Sequence, residues 1–279
     1  QEVGFQTLSG LPESQNSYNY AMTKNQANYL DGLAPEFSAH DIEMYRRVSN
    51  GEKLTGMEQY KYFNTNWYDT MLRDVAPQYR TNLQVSGGNA RARYYVSFRQ
   101  EGMYDTEWTN YNDGYSTQHV LNRYNLRSNI DIDVTKFLNV SMDLGGRIDN
   151  ISQPGIDTYA LFTWGGGENL PIYPVYTPNG SFFFPTDSDA KNGAAQIAGR
   201  GIEKNRRRNL YTTITANGDL GALVEGLKAN LTFSFDSYET FQQVQRADVD
   251  GFYYNFRDEV NSVDDYSYKR MRTSVSLPN

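Results

Sequence analysis

Two neighbouring segments, Tyr124–Val134 and Leu138–Ile148, alternate between apolar and polar side chains. In the first, Tyr124, Leu126, Ser128, Ile130, Ile132 and Val134 share one face, and Asn125, Arg127, Asn129, Asp131 and Asp133 share the other. In the second, Leu138, Val140, Met142, Leu144, Gly146 and Ile148 oppose Asn139, Ser141, Asp143, Gly145 and Arg147. Successive side chains of a strand point to opposite sides of a sheet, so each set lies on its own face. Only Thr135, Lys136 and Phe137 separate the two segments, which predicts a tightly connected antiparallel pair. The alternation recurs over 79–87, 91–98, 210–220, 227–237 and 269–277. Val3, Phe5 and Thr7 read as the tail of a further strand whose start is missing. Seven strands and a partial one are expected.

The connections between these strands alternate in length. Short turns fall near residues 88, 136 and 223, and long loops at 100–122, 149–208 and 241–266. Residues 10–77 read as a partly helical excursion. Helical spacing covers Tyr18–Leu30, Ser38 is placed to cap a helix over Ala39–Val48, and Trp67–Leu72 is a shorter candidate. Short turns on one side and long loops on the other, with strands of about 11 residues, fit a transmembrane β-barrel with lipid outside and water inside. The alternative is a soluble β-sandwich, which also alternates because one face is buried. The strand lengths, the loop asymmetry and an Arg/Asp-bearing second face favour the barrel.

Composition narrows the choice further. A mean hydropathy of −0.71 and the lack of any long apolar run exclude helical spanning but not a barrel, whose strands are only half apolar. A net charge of −7 argues against a nucleic-acid partner. The chain has no cysteine, hence no disulfide framework, and its two histidines, His40 and His119, have no ligand-spaced companion, so neither metal nor cofactor is expected. No basic and apolar leader opens the sequence, and the chain reads as an internal piece of something longer. Catalysis has no support: no nucleophile–base set or paired carboxylate pocket can be argued from spacing.

Several stretches then resemble one family. They are Asn-Thr-Asn-Trp-Tyr-Asp at 64–69, Ala76-Pro77 running into Asn-Leu-Gln-Val-Ser-Gly-Gly-Asn at 82–89, and Tyr-Tyr-Val-Ser-Phe at 94–98 leading to Glu101-Gly102. Arg-Tyr-Asn-Leu-Arg-Ser-Asn-Ile-Asp at 123–131 follows, with Thr135-Lys136, Leu138-Asn139-Val140 and Gly146-Arg147. In order and spacing they resemble the early barrel of the SusC/RagA family of TonB-dependent outer-membrane transporters, most clearly over 60–150. The resemblance implies an all-β fold, part of a large antiparallel barrel of roughly 22 strands whose N-terminal plug is absent here. Residues 1–279 would be a partial barrel domain of the bacterial outer membrane. It further implies a SusD-like surface lipoprotein, TonB acting through the missing plug region, and a dimer of transporter–lipoprotein pairs. The implied activity is import of a large nutrient, an oligosaccharide before a peptide. The alternative is a soluble surface glycan-binding or adhesion module.

Candidate site residues follow from these faces and loops. Loop aromatics Trp108, Tyr111, Tyr115, Trp164 and Phe183 are candidates for stacking on sugar rings or gripping a peptide. Arg93, Arg127, Asp131, Asp133, Asp143 and Arg147 are expected to face the lumen or plug. Arg206, Arg207 and Arg208, beside Lys204, are candidates for lipopolysaccharide phosphates, which arginine binds bidentately. Tyr79, Tyr94, Tyr124 and Tyr211 are candidates for an interfacial girdle. Asp187, Asp189 and Asn192 give only a faint calcium-loop pattern, lacking the glycine and closing glutamate.

Overall fold

A computed structural model describes residues 1–7, 13–72, 75–104, 116–156, 169–185 and 192–273. Seven strands form one antiparallel sheet in sequence order: β1 (Glu2–Thr7), β2 (Val75–Gly88), β3 (Ala92–Tyr104), β4 (Val120–Thr135), β5 (Leu138–Pro154), β6 (Gly201–Asp219) and β7 (Lys228–Arg246). All short connections fall at one end and all long ones at the other. The sheet is open, with β1 and β7 as its edges among the described residues. Strands β2–β7 run 13 to 19 residues, longer than the alternation alone predicts. The apolar signal stops where the greasy face stops. The hydrogen-bond ladder continues through polar residues, as in Ser152 pairing with Lys204 and Lys204 with Gln243.

Directly opposed residues on neighbouring strands share a face. One such row runs Gly87, Tyr94, Ile130, Met142, Ile214 and Phe233, and the next runs Val85, Val96, Ser128, Leu144, Thr212 and Phe235. A third runs Leu83, Phe98, Leu126, Gly146, Leu210 and Ser237. No Asp, Glu, Lys or Arg interrupts these rows. Nothing among the described residues covers this face: Leu83 and Phe233 are each 62% exposed. A sandwich would bury it under a second sheet, and none lies there among the described residues. The pairing also corrects one girdle position. Tyr79, Tyr94 and Tyr124 lie on the apolar face, but Tyr211 pairs with Gly145 and Asp236 and so lies on the polar one.

Tyr211 lies across Gly145, where an added Cβ would come within 1.9 Å of the tyrosine ring. Gly145→Val is therefore expected to displace the ring and destabilise the sheet by about 1–3 kcal/mol. A lowered urea midpoint for the detergent-solubilised protein would report it, and an unchanged midpoint would show that the ring has room to leave.

The buried core is in the long connections, not in the sheet. Helices α1 (Ser17–Leu30), α2 (Ala39–Ser49) and α3 (Trp67–Met71) form the excursion between β1 and β2. Each starts where sequence chemistry says it should. Asn16 and Asn66 accept from backbone amides of the first turns, and Ser38 with Asp41 completes a capping box. A further helix, α4 (Gly193–Gly199), was not predicted. Its seven residues are buried all round and so carry no amphipathic period. Its N-cap is Asn192, whose Oδ1 accepts from the Ala195 amide and whose Nδ2 donates to the Val175 and Phe183 carbonyls. Asn192 is thus a cap rather than a calcium ligand, and Asp187 and Asp189 lie outside the described residues.

The C-terminal strand also departs from expectation. Over the described residues, β9 (Lys269–Thr273) pairs with β8 (Val249–Tyr253) in a separate two-stranded sheet instead of adding to β7. Alternation marks a strand but not its partner. Asp250 and Arg270, which form an ion pair across this ladder, are visible only once the register is known.

Candidate functional site

Three long connections meet at one end of the sheet and build a cap. Trp67, Tyr68, Met71 and Leu72 of the α3 region pack on Ile197 of α4. Ala21, Phe37 and Tyr45 of the α1–α2 region enclose Ile172. Phe183, Tyr254, Phe256 and Tyr266 form an aromatic cluster whose rings meet largely edge to face, as their quadrupoles favour. The Trp67 indole donates to the Leu170 carbonyl at 3.0 Å, and the Thr65 hydroxyl to the Tyr173 carbonyl at 2.7 Å. These bonds tie the first long connection to the third.

Burial and local hydrogen bonds set the charge state of polar groups in the cap. Burial pushes the Asp41 carboxyl up, but hydrogen bonds from Ser38 and from the Tyr62 hydroxyl outweigh it, so its pKa lies below the usual carboxylate range. Burial first, then the facing Glu36, pushes the Tyr20 hydroxyl up to about 12. Among the described residues no cluster of His, Asp and Glu could hold a metal ion.

Phe183 requires a correction. It is 1% exposed, packed against Tyr173, Tyr253, Tyr254 and Phe256, so it holds the cap together and offers no face to a ligand. In the Phe-Phe-Phe run at 182–184 all three rings are buried, which an aromatic run in a long loop does not announce. Trp108, Tyr111, Tyr115 and Trp164 lie outside the described residues.

The polar face carries the charges. Strand register puts Arg93, Arg127, Asp131, Asp133, Asp143 and Arg147 together on it. Arg93 pairs with Asp131 at 2.7 Å, Asn129 donates to Asp143, and the Asn139 amide reaches both Asp131 and Asp133, at 2.6 and 2.9 Å. Sequence reading missed the most ordered part of this face. Glu2, Arg80, Glu101, Arg123, Asp149 and Arg207 occupy one cross-strand row on β1 to β6, with charge alternating at every step. Arg80 Nε meets Glu101 at 2.9 Å and Arg123 Nε meets Asp149 at 2.8 Å. Arg147 adds a second guanidinium to Asp149 at 2.6 Å, and Asp149 is only 5% exposed. Alternating opposite charges at directly opposed positions favour this register over a slipped one, because a slip of one residue would move the whole set to the apolar face. Each residue alone looks like an ordinary strand-end charge, and only the pairing reveals the row.

That row also corrects the arginine run. Arg207 belongs to the polar face beside Asp149, whereas Arg206 and Arg208 project from the apolar face. Three consecutive strand residues cannot share one side.

The comparisons with known proteins agree with this architecture. No protein-family model matches the chain. It is similar to TonB-dependent receptor P3 of Formosa agariphila, at 25% identity over 241 residues, which cover 82% of this chain and 21% of that receptor. Its structure is similar to that of the RagAB peptide transporter, with a TM-score of 0.54, 14% identity, and coverage of 93% of this chain and 29% of that one. It is likewise similar to the RagAB peptide importer in the closed-closed state, with a TM-score of 0.56, 14% identity, and coverage of 89% and 28%. The chain thus spans about a fifth of the curated relative and under a third of the structural neighbours. In sheet order and in these likenesses the chain resembles a SusC/RagA-like fragment, with a fold that matches part of a TonB-dependent barrel.

Proposed function

We propose that this chain forms wall and cap of a TonB-dependent importer of the bacterial outer membrane. The single observation that carries this reading is the charge-free apolar face spanning six strands, backed by a charged opposite face and surmounted by a cap at the long-connection end. A face so apolar and so uncovered fits hydrocarbon, and the opposite face fits a water-filled lumen holding a plug. Arg93, Arg127, Asp131, Asp133, Asp143 and Arg147 would line that lumen. The activity is transport rather than catalysis. The cargo is a large nutrient, an oligosaccharide in first place and a peptide in second, received with a SusD-like surface lipoprotein. Pairs of transporter and lipoprotein would associate as dimers, and TonB would act through a plug supplied by the rest of the receptor.

The test is uptake by cells carrying or lacking the full-length receptor, with fluorescent oligosaccharides and peptides as probes. Expected is accumulation of one class that disappears on deletion of the receptor and on collapse of the proton gradient. Accumulation indifferent to both would overturn the importer, and uptake of peptides alone would overturn the order of the cargoes.

A further inference from the structure

We propose that Lys204, Arg206 and Arg208 form an outward-facing site for the phosphorylated sugar headgroup of an outer-leaflet glycolipid. The inference rests on the membrane reading above and adds a ligand to it. The three side chains occupy alternate positions of β6 and therefore one column, on the same face as Leu210 and Ile214 and immediately beyond them toward the long-connection end. They are the first charges met on leaving the apolar face along this strand, and all three are exposed. At a spacing of about 7 Å, alternate strand residues can bracket a phosphate between two cations.

The neighbours suit a sugar phosphate. Asn122 and Asn150 share the row of Arg206, and Ser152 and Gln243 share that of Lys204. With them the two cations line one shallow depression. These groups are uncharged donors and acceptors, matched to hydroxyls and amides. The Arg206 guanidinium lies 5.7 Å from the Phe241 ring centroid, which restrains it without using up its hydrogen-bond donors. Among the described residues one carboxylate, Glu239, reaches the column, at 3.4 Å from Arg208. Lys204 and Arg206 make no ion pair among the described residues. Local charge is therefore positive although the chain as a whole carries −7. Arg207, between Arg206 and Arg208 in sequence, faces the other way and serves as an internal control.

The experiment uses the full-length receptor extracted from outer membranes and measures binding of monophosphorylated lipid A in detergent micelles. A Lys204→Gln/Arg206→Gln double variant is expected to lose about tenfold or more in affinity, the loss of two charge-assisted hydrogen bonds, while Arg207→Gln keeps wild-type binding. Binding should resist excess inorganic phosphate and be absent for phosphatidylethanolamine. Equal binding by the double variant and wild type, equal loss in Arg207→Gln, or full displacement by inorganic phosphate would each overturn the site. Heat-modifiable migration of every variant checks assembly, and Arg206→Gln alone serves if the double variant fails it. A receptor found outside the membrane fraction would instead overturn the membrane reading itself.

Discussion

Ile130→Arg is expected to remove most of the assembled receptor from the outer membrane, whereas Asn129→Arg leaves it largely in place. The two positions are adjacent on β4 and differ only in the face they occupy. Ile130 sits between Tyr94 and Met142 in an apolar row that continues through Ile214 to Phe233. In the proposed membrane setting a guanidinium there would stand in hydrocarbon, at a cost of about 2–4 kcal/mol near the membrane midplane. The same group at position 129 would stand on the polar face between Tyr95 and Asp143, where a carboxylate already accepts from the native amide. Its desolvation is slight, and it gains a partner of opposite charge. The readout is the heat-modifiable fraction of full-length receptor in outer membranes. Equal loss from both variants would undo the assignment of faces and with it the proposed function.

How much of this was legible in the sequence depended on whether the signal was local. Faces were legible, because period two needs only one strand: Ile130 and Asn129 separate without any knowledge of partners. Helix starts were legible too, since Ser38 and Asp41 satisfy one another within a single turn. Anything set by pairing was hidden. The alternating row from Glu2 to Arg207 joins residues 205 positions apart in the chain, counted as 207 − 2, through five registers that no single strand specifies. The arginine run shows the cost of reading composition before period, since Arg207 is separated from Arg206 and Arg208 by the thickness of the sheet. The cap was legible as helices and aromatic loops but not as a core. Phe183 and the α4 residues bear no pattern that distinguishes a buried loop from an exposed one, because their burial is decided by other segments of the chain, Tyr254 and Phe256 for Phe183 and Trp67 to Leu72 for Ile197. Loops normally run over the surface. These escape that rule by packing on one another.

The core so formed makes the second large prediction, that Trp67→Ala will open the cap while leaving the wall standing. Trp67 is 2% exposed and packs with Tyr68, Met71 and Leu72 against Ile197 of α4. Truncation to alanine is expected to cost the cap about 3–5 kcal/mol through the cavity it leaves. It also orphans the Leu170 carbonyl, which the indole satisfies at 3.0 Å. Trp67→Phe keeps most of the packing and loses the same hydrogen bond, so it should fall between wild type and alanine. The wall is held by its own ladders, and the four buried clusters take their fully buried members from the connections together with Val249 of β8. Limited proteolysis of the assembled full-length receptor should therefore cut the alanine variant within residues 17–72 and 169–199, while its heat-modifiable migration stays that of the wild type. Loss of both together would mean that cap and wall fold as one unit and that the cap core is required to bring the strands into register. Wild-type resistance to protease would mean that the Trp67 contacts are redundant with the aromatic cluster around Tyr254.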